Sequence, residues 1–320
     1  MSINPTPYPL TTYPSSPLWQ LTPVSSNSSL GWAPSCTASD CIPTASWSTG
    51  TVNSTITYMY YALGHTIFGK VDGDMKLQLI RNGKEEAINP SGDILFTTPG
   101  DAAKSDDDLH QNLTIKVIEA SNGARLTVNK AFINGSSFVT DPFPSDRWTL
   151  ASNDGALKYT GFVQQQATTG LPSPTTYVSS AVGDKVFMQY NGSAFTIYGP
   201  CGPSNGLMRV IIDGKEDTTN TTKPFQSDDC LLYQSPGMSS NNLHTLEIDN
   251  VDGRTLAINH IEFFRILING NSSGATMTGA KIVGIVIGVI VGVAALIILY
   301  STRSRKSRQK INNSWKIFCS

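Results

Sequence analysis

Apolar and polar side chains alternate along VNSTITYMYYALGHTIFG, residues 52–69, the period of a strand with one face in a core. The alternation returns about 130 residues later in VGDKVFMQYNGSAFTIYG, residues 182–199. The stretches align without a gap, setting Ile56 over Val186, Tyr60 over Tyr190, Thr66 over Thr196 and Phe68 over Tyr198. Self-similarity at a fixed shift marks a duplicated unit.

The match continues downstream. NGKEE at 82–86 lies over DGKED at 213–217, each after an apolar run, LQLI or VII. Asn-Gly and Asp-Gly there predict two-residue hairpins, because both central positions must tolerate positive φ. ILFTTPG at 94–100 matches LLYQSPG at 231–237, NGARLTVN around Leu126 matches DGRTLAIN around Leu256, and SNSSLGW ending at Trp32 is set against SNDGALKY ending at Tyr159. The spacing predicts β-sandwich 1 over 18–138 and β-sandwich 2 over 147–268, joined by a Pro-containing linker at 139–146. Each unit has the short strands and turns of a two-sheet sandwich, with a jelly roll as the expected arrangement. Residues 1–17, rich in Pro, Ser, Thr and Tyr, have little to bury and read as a disordered N-terminal segment.

Beyond the second unit the alternation stops. NGNSSGATMTGA at 269–280 reads as a stalk, and KIVGIVIGVIVGVAALIILY at 281–300 has the length and apolarity of one transmembrane α-helix. Arg303, Arg305, Lys306, Arg308 and Lys310 make 301–320 a basic cytosolic tail and put the N-terminal side outside, in the plasma membrane or a secretory-pathway membrane. The lipid bilayer is therefore an expected partner. Gly284, Gly288 and Gly292 recur every four residues after Ala280, so self-association through one helix face is expected as well. The tail favours anionic lipid, and Cys319 is a palmitoylation candidate. MSINPTPYPLTTYPSS has no apolar core of the secretory-signal kind, which leaves either a start upstream of residue 1 or late insertion by the helix.

The second copy carries Tyr159 and Gly161, FTIYG at 195–199, V-x-IDGK at 210–215, LLY at 231–233, LHTLEI at 243–248 and LAIN at 256–259. This run resembles the galactose-binding-like jelly-roll domain, which recurs in carbohydrate-binding modules and in uncharacterised single-pass surface proteins of fungi. The first copy departs from it, with Arg81-Asn82-Gly83 at the hairpin and a charged insertion, AAKSDDDLHQ. The resemblance covers most of 18–268 and implies the fold more firmly than a ligand.

The 320 residues carry a net charge of −1, which gives no reason to expect a nucleic-acid partner. Cys36 with Cys41 and Cys201 with Cys230 are the expected disulfides of an oxidising compartment, leaving Cys319 over. Asn27, Asn53, Asn112, Asn134, Asn191, Asn220 and Asn271 stand in N-glycosylation sequons, which need exposed positions.

Candidate chemistry is sparse. His65, His110, His244 and His260 are scattered without metal spacing, and His65 aligns with Phe195 and His260 with Lys130, against a catalytic role shared by both copies. GNSSG at 270–274 fits the nucleophile-elbow string but sits in the stalk. Asp106, Asp107 and Asp108 read as solvated, and Glu216 and Asp217 as surface charge after a hairpin. No catalytic residue, metal or cofactor is expected. Trp19, Trp32, Trp47, Trp148 and Tyr177 offer aromatic faces for sugar stacking, although closing the sandwich ends is the commoner role for each. The leading expectation is non-catalytic binding of extracellular glycan or cell-wall polymer. A structural or adhesion protein that binds other proteins is the alternative. A membrane-tethered glycan hydrolase stands third, since it needs two close carboxylates in a cleft.

Overall fold

The alternation read at 55–61 is the burial pattern of the strand there: Ile56, Tyr58 and Tyr60 are buried while their neighbours are half-exposed. A computed structural model describes residues 9–62, 64–98, 110–134, 145–168, 170–238 and 242–266. These residues are all-β, arranged in several sheets. The first half holds β1 (Leu10–Thr12), β2 (Trp19–Thr22), β3 (Ala33–Pro34), β4 (Trp47–Thr49), β5 (Thr55–Tyr61), β6 (Gly64–Asp72), β7 (Met75–Arg81), β8 (Lys84–Glu86), β9 (Ile94–Thr98), β10 (His110–Ala120) and β11 (Arg125–Asn134). The second holds β12 (Ser145–Ala151), β13 (Lys158–Thr160), β14 (Val163–Gln166), β15 (Thr175–Ser179), β16 (Lys185–Tyr190), β17 (Ala194–Cys201), β18 (Leu207–Ile212), β19 (Lys215–Asn220), β20 (Ser227–Gln234), β21 (His244–Asn250), β22 (Leu256–Ile258) and β23 (His260–Ile266).

Strand pairing repeats from one half to the other. In the first, one sheet runs β3-β4-β11-β6-β9 with β1 also on β11, and the other runs β2-β5-β10-β7-β8. In the second, β13-β16-β21-β18-β19 reproduces the latter order. The former returns as β14-β15-β22 and β12-β23-β17-β20, because the strand matching β11 is broken at Asn259. Its counterpart Asn129 sits where β11 shifts register between Val128 and Lys130. Each pair of sheets closes on its own core: Ile56, Tyr58, Ile67, Leu79, Ile115 and Leu126 in the first, Val186, Phe195, Ile197, Val210, Ile248 and Phe263 in the second. Burying each aliphatic side chain among them is worth roughly 1.5–3 kcal/mol, enough to make the alternation decide the register.

The hairpin dipeptides act as read. Asn82 and Gly83 have φ of 50° and 77°, Asp213 and Gly214 of 51° and 81°, the double left-handed turn that joins β7 to β8 and β18 to β19.

Three expectations need correction. Of the segment expected to be disordered, residues 1–8 lie outside the described residues and 9–17 are ordered, since Leu10 is buried and β1 pairs with β11 from Leu10↔Ile133 to Thr12↔Ala131. Backbone pairing and one apolar anchor outweigh its polar composition. Ser145 and Asp146, assigned to the linker, already belong to β12. Trp32 is not the counterpart of Tyr159: Tyr159 pairs with Val186 as Leu21 pairs with Ile56, so β13 matches β2.

The expected stalk, spanning helix and tail at 269–320, with Asn271, Gly284, Gly288, Gly292 and Cys319, lie outside the described residues, as do Asp106, Asp107, Asp108 and linker residues 139–144. Among the described residues no helix is long and apolar enough to cross a membrane.

Candidate functional site

The two halves meet along a seam, and one cation holds much of it. Lys223, buried on the loop between β19 and β20, directs its ammonium onto the carbonyl oxygens of Pro14, Ser16 and Trp19 at 3.2, 3.0 and 2.7 Å. Burial pushes this amine down to about 7, while three acceptors, one for each ammonium proton, favour the charged form. Gln234 clamps the end of β5 with both ends of its amide: Nε2 donates to the Tyr61 carbonyl at 3.0 Å and Oε1 accepts from the Tyr61 N–H at 3.2 Å. The Ser16 hydroxyl donates to the Leu231 carbonyl, Ser39 donates to Asp228 Oδ2 at 3.1 Å, and Phe225 meets Trp47 edge-on at 5.7 Å.

Where β19 crosses the ends of β5 and β10, the seam opens into a cleft of about 110 Å³ lined by Tyr61, His110, Asp217, Thr218, Tyr233 and Gln234. Tyr61 and His110 are register partners on adjacent strands, and their rings lie 5.0 Å apart at 53°. Asp217 and Thr218 come from the exposed edge strand β19. Tyr233 is buried on β20. Burial, and then the Asp217 carboxylate, push the Tyr61 and Tyr233 phenols above their ordinary range, so both remain donors at neutral pH beside an acceptor. Ring faces flanked by phenol donors, a hydroxyl and a carboxylate can hold the apolar face and the hydroxyls of a polyol.

Sequence reading set Asp217 aside as surface charge and did not single out Tyr61 or Tyr233. These residues come together only because the second copy packs against the first, a contact that no spacing within either copy encodes.

The aromatic residues proposed for stacking divide. Trp19, Trp32 and Trp47 are buried: Trp19 stacks on Tyr58 at 4.0 Å, and Trp32 Nε1 donates to the Thr55 carbonyl at 2.8 Å. They are core. Trp148 is half-buried, stacked on Phe263 at 5.4 Å with the Arg265 guanidinium over its ring. Tyr177, also half-buried, stacks on Tyr159 at 3.8 Å and donates to Gln164 Oε1 at 3.1 Å.

Cys36 and Cys41 are disulfide-bonded, as are Cys201 and Cys230, with Cα separations of 6.4 and 5.9 Å. Asn27, Asn53, Asn112 and Asn220 are exposed, Asn191 is half-buried, and Asn134 ends β11. His65, His244 and His260 are buried, whereas His110 is exposed at the cleft. Burial pushes His65 down to about 3 and His260 to about 4, so both are neutral.

No known family matches this sequence, and no curated protein does. Among solved structures, the chain is similar to the N-terminal CBM22-1–CBM22-2 tandem domain from Paenibacillus barcinonensis Xyn10C, at 9% identity over 82% of this chain and 98% of that one, with a TM-score of 0.25. It is also similar to a family two carbohydrate esterase from Cellvibrio japonicus, at 14% identity over 38% of this chain and 34% of that one, with a TM-score of 0.29. A Paenibacillus xanthan lyase matches at 11% identity over 83% of this chain and 27% of that one, with a TM-score of 0.31. The chain thus spans well under half of the esterase and of the lyase, and likenesses this distant assign no ligand or reaction to it.

Proposed function

We propose that this chain is a single-pass membrane surface protein whose paired jelly-roll sandwiches bind extracellular glycan or wall polymer without catalysis. The observation that carries the reading is the seam cleft, where the paired Tyr61 and His110 rings and the buried Tyr233 line one opening with Asp217 and Thr218. One short stretch of polysaccharide can stack on the rings while its hydroxyls bond to the acid and the phenols. The apolar run at 281–300 supplies the anchor and the basic tail sets the orientation, with the sequons on the outer side.

The test is to secrete residues 1–268, which form one compact unit, and to measure binding across a panel of wall polysaccharides and glycans. A fragment starting at residue 18 would delete β1. Saturable, selective binding that falls at least tenfold in Tyr61→Ala and in Asp217→Ala is the expected result. No binding by the folded protein, or binding untouched by both variants, removes this cleft as the site.

One feature favours the adhesion alternative. The edge strand β14, VQQQ, is exposed at all four positions and carries neither charge nor proline to block pairing with another chain. Protein partners captured on β14, and lost on a Gln165→Pro change, would bring that reading forward.

A further inference from the structure

A second seam cavity, of about 220 Å³, lies between the outer face of β17 and β20 and the N-terminal segment that carries β1. Asp229 opens into it. One carboxylate oxygen, Oδ1, accepts from Asn259 Nδ2 at 2.8 Å, and the same amide donates to the Asp228 carbonyl at 2.9 Å. Thr176 fixes the amide from behind, its hydroxyl donating to Asn259 Oδ1 at 2.6 Å. The orientation of Asp229 is therefore set by Asn259, at the break between β22 and β23, which is in turn held by Thr176 on β15 and the Asp228 carbonyl on β20. Its other oxygen has no hydrogen bond and no cation within the described residues. Across the cavity stand the hydroxyls of Thr11, Tyr13 and Thr44, likewise without hydrogen bonds to described residues, and the Tyr198 ring, whose other face is stacked on His260 at 4.5 Å.

The fold does not require this arrangement. By strand register Asp229 corresponds to Gly92 in the first sandwich, and Asn259, which is buried, corresponds to the exposed Asn129. The second copy alone places a carboxylate and its amide support here.

We propose that the Asp229 cavity binds one amino-sugar unit: the protonated amine on the free carboxylate oxygen, ring hydroxyls on Thr11, Tyr13 and Thr44, and the ring against Tyr198. The volume suits a single ring, and a carboxylate without a cation, among free hydroxyls, selects a hydroxylated amine over a neutral sugar. This site is separate from the Tyr61 cleft and does not depend on it.

Asp229 also makes the binding pH-dependent. Burial pushes its carboxyl up to about 6, against the Asn259 hydrogen bond and with the Glu262 and Asp228 charges adding to the rise. Glu262 is itself paired with Arg147 at 2.8 Å, and on the N-terminal side Tyr13 is the titratable group. Affinity for an amine should therefore fall as pH drops through 6.

The test is calorimetric titration of the full-length chain with glucosamine, glucose and N-acetylglucosamine at pH 7.5 and pH 5. Glucosamine should bind at least tenfold more tightly than either neutral sugar at pH 7.5 and weaken at least fivefold at pH 5. Asp229→Asn should abolish the preference, and the exposed Glu216→Gln should leave it intact. The pH comparison on the unaltered chain stands even where Asp229→Asn fails to fold. Equal affinity for the three sugars, no saturable glucosamine binding, or binding unchanged at pH 5 would each overturn the proposal.

Discussion

At one matched position the first sandwich carries His65 and the second Phe195, and around that exchange the two cores diverge. In the first, the Tyr60 hydroxyl meets His65 Nδ1 at 2.5 Å and Thr98 Oγ1 lies 3.1 Å from the same nitrogen, so a polar chain is closed inside the sandwich. In the second, the matching Tyr190 hydroxyl donates to Met238 Sδ at 3.1 Å and its ring meets Phe195 edge-on at 5.5 Å. The second copy also sets polar groups at or behind the seam, the buried Lys223 and Asn259 and the half-buried Asp229, besides pairs such as Ser152 with Ser173 and Asn250 with Ser179 inside its own fold. Strand pairing is the same in both, so the backbone frame leaves open where polar chemistry is put. At the matched Tyr60 and Tyr190 positions one copy closes a polar chain inside its core and the other does not, and the second copy adds polar groups at its border with the first.

The disulfides differ in the same sense and should give the largest effects. Cys201–Cys230 ties β17 to β20 across a separation of 29 residues, whereas Cys36–Cys41 spans only 5 in a loop. Loop-closure entropy predicts a loss of about 3.6 kcal/mol for Cys201→Ser with Cys230→Ser and about 2 kcal/mol for Cys36→Ser with Cys41→Ser. Differential scanning calorimetry of the two double variants gives the ranking. A larger loss from the short bridge would mean that its loop, not the long one, anchors the second half.

The shared frame can be tested at Gly69 and Gly199. A Cβ on Gly69 would run into the Thr127 carbonyl and the Leu95 side chain, and one on Gly199 into the Ala257 carbonyl and the Leu232 side chain. These are the same contacts in the two copies. Gly69→Ala and Gly199→Ala should each cost about 2–3 kcal/mol, with equal losses in chemical denaturation. Tolerance at one site and collapse at the other would show that the copies pack differently despite matching strand order.

Much of this frame was legible. Alternation located β5, β6, β16 and β17, and Asn82-Gly83 and Asp213-Gly214 located the hairpins, because one-sided burial and positive φ leave marks on adjacent residues. Short polar strands leave fainter marks: β1 has one apolar anchor, and the sequence pattern sets Tyr159 against Trp32 although its counterpart in the first copy is Leu21. The seam was not legible. Tyr61 and Asp217, or Thr11 and Asp229, meet across about 150 to 220 residues of sequence, and nothing in the local pattern of either copy records which outer face its neighbour covers.

Acid should separate the two sandwiches more gently. His65 is held down to about 3 by burial and then by Arg81, against 6.5 in the unfolded chain. Between these values the unfolded state binds the extra proton, so stability is lost as pH falls, by up to about 1.4 kcal/mol per pH unit. In the second sandwich His260, at about 4, acts in the same direction, but Asp229 opposes it. Its folded value of about 6 lies above the unfolded 3.8, so stability is gained as pH falls between them. The first sandwich should therefore open first in acid. Trp19, Trp32 and Trp47 lie in its core, so tryptophan fluorescence follows mainly that half. His65→Gln should flatten the acid slope, and an unchanged slope would place the acid-sensitive group elsewhere.

The smallest difference lies at the hairpins, where each turn residue reaches back to the next strand. Asn82 Oδ1 accepts the Asn112 N–H at 2.8 Å and its amide donates to Gln111 Oε1 at 3.0 Å. In the second copy Asp213 Oδ1 accepts the Thr245 N–H at 2.8 Å while Oδ2 lies 2.6 Å from His244 Nδ1. Burial acts to raise the Asp213 carboxyl, but the hydrogen bonds from His244 and Thr245 outweigh it and leave the group below its ordinary range. Asp213→Asn installs the first copy's residue and keeps the Thr245 bond, so only the contact with His244 changes. Because Asp213 is exposed, the loss at pH 7 should stay under about 1 kcal/mol and shrink as pH falls, since the carboxylate contribution is already lost below its folded pKa. A loss that persists undiminished at pH 3 would show that the turn depends on more than this charge, and that its two versions are not interchangeable.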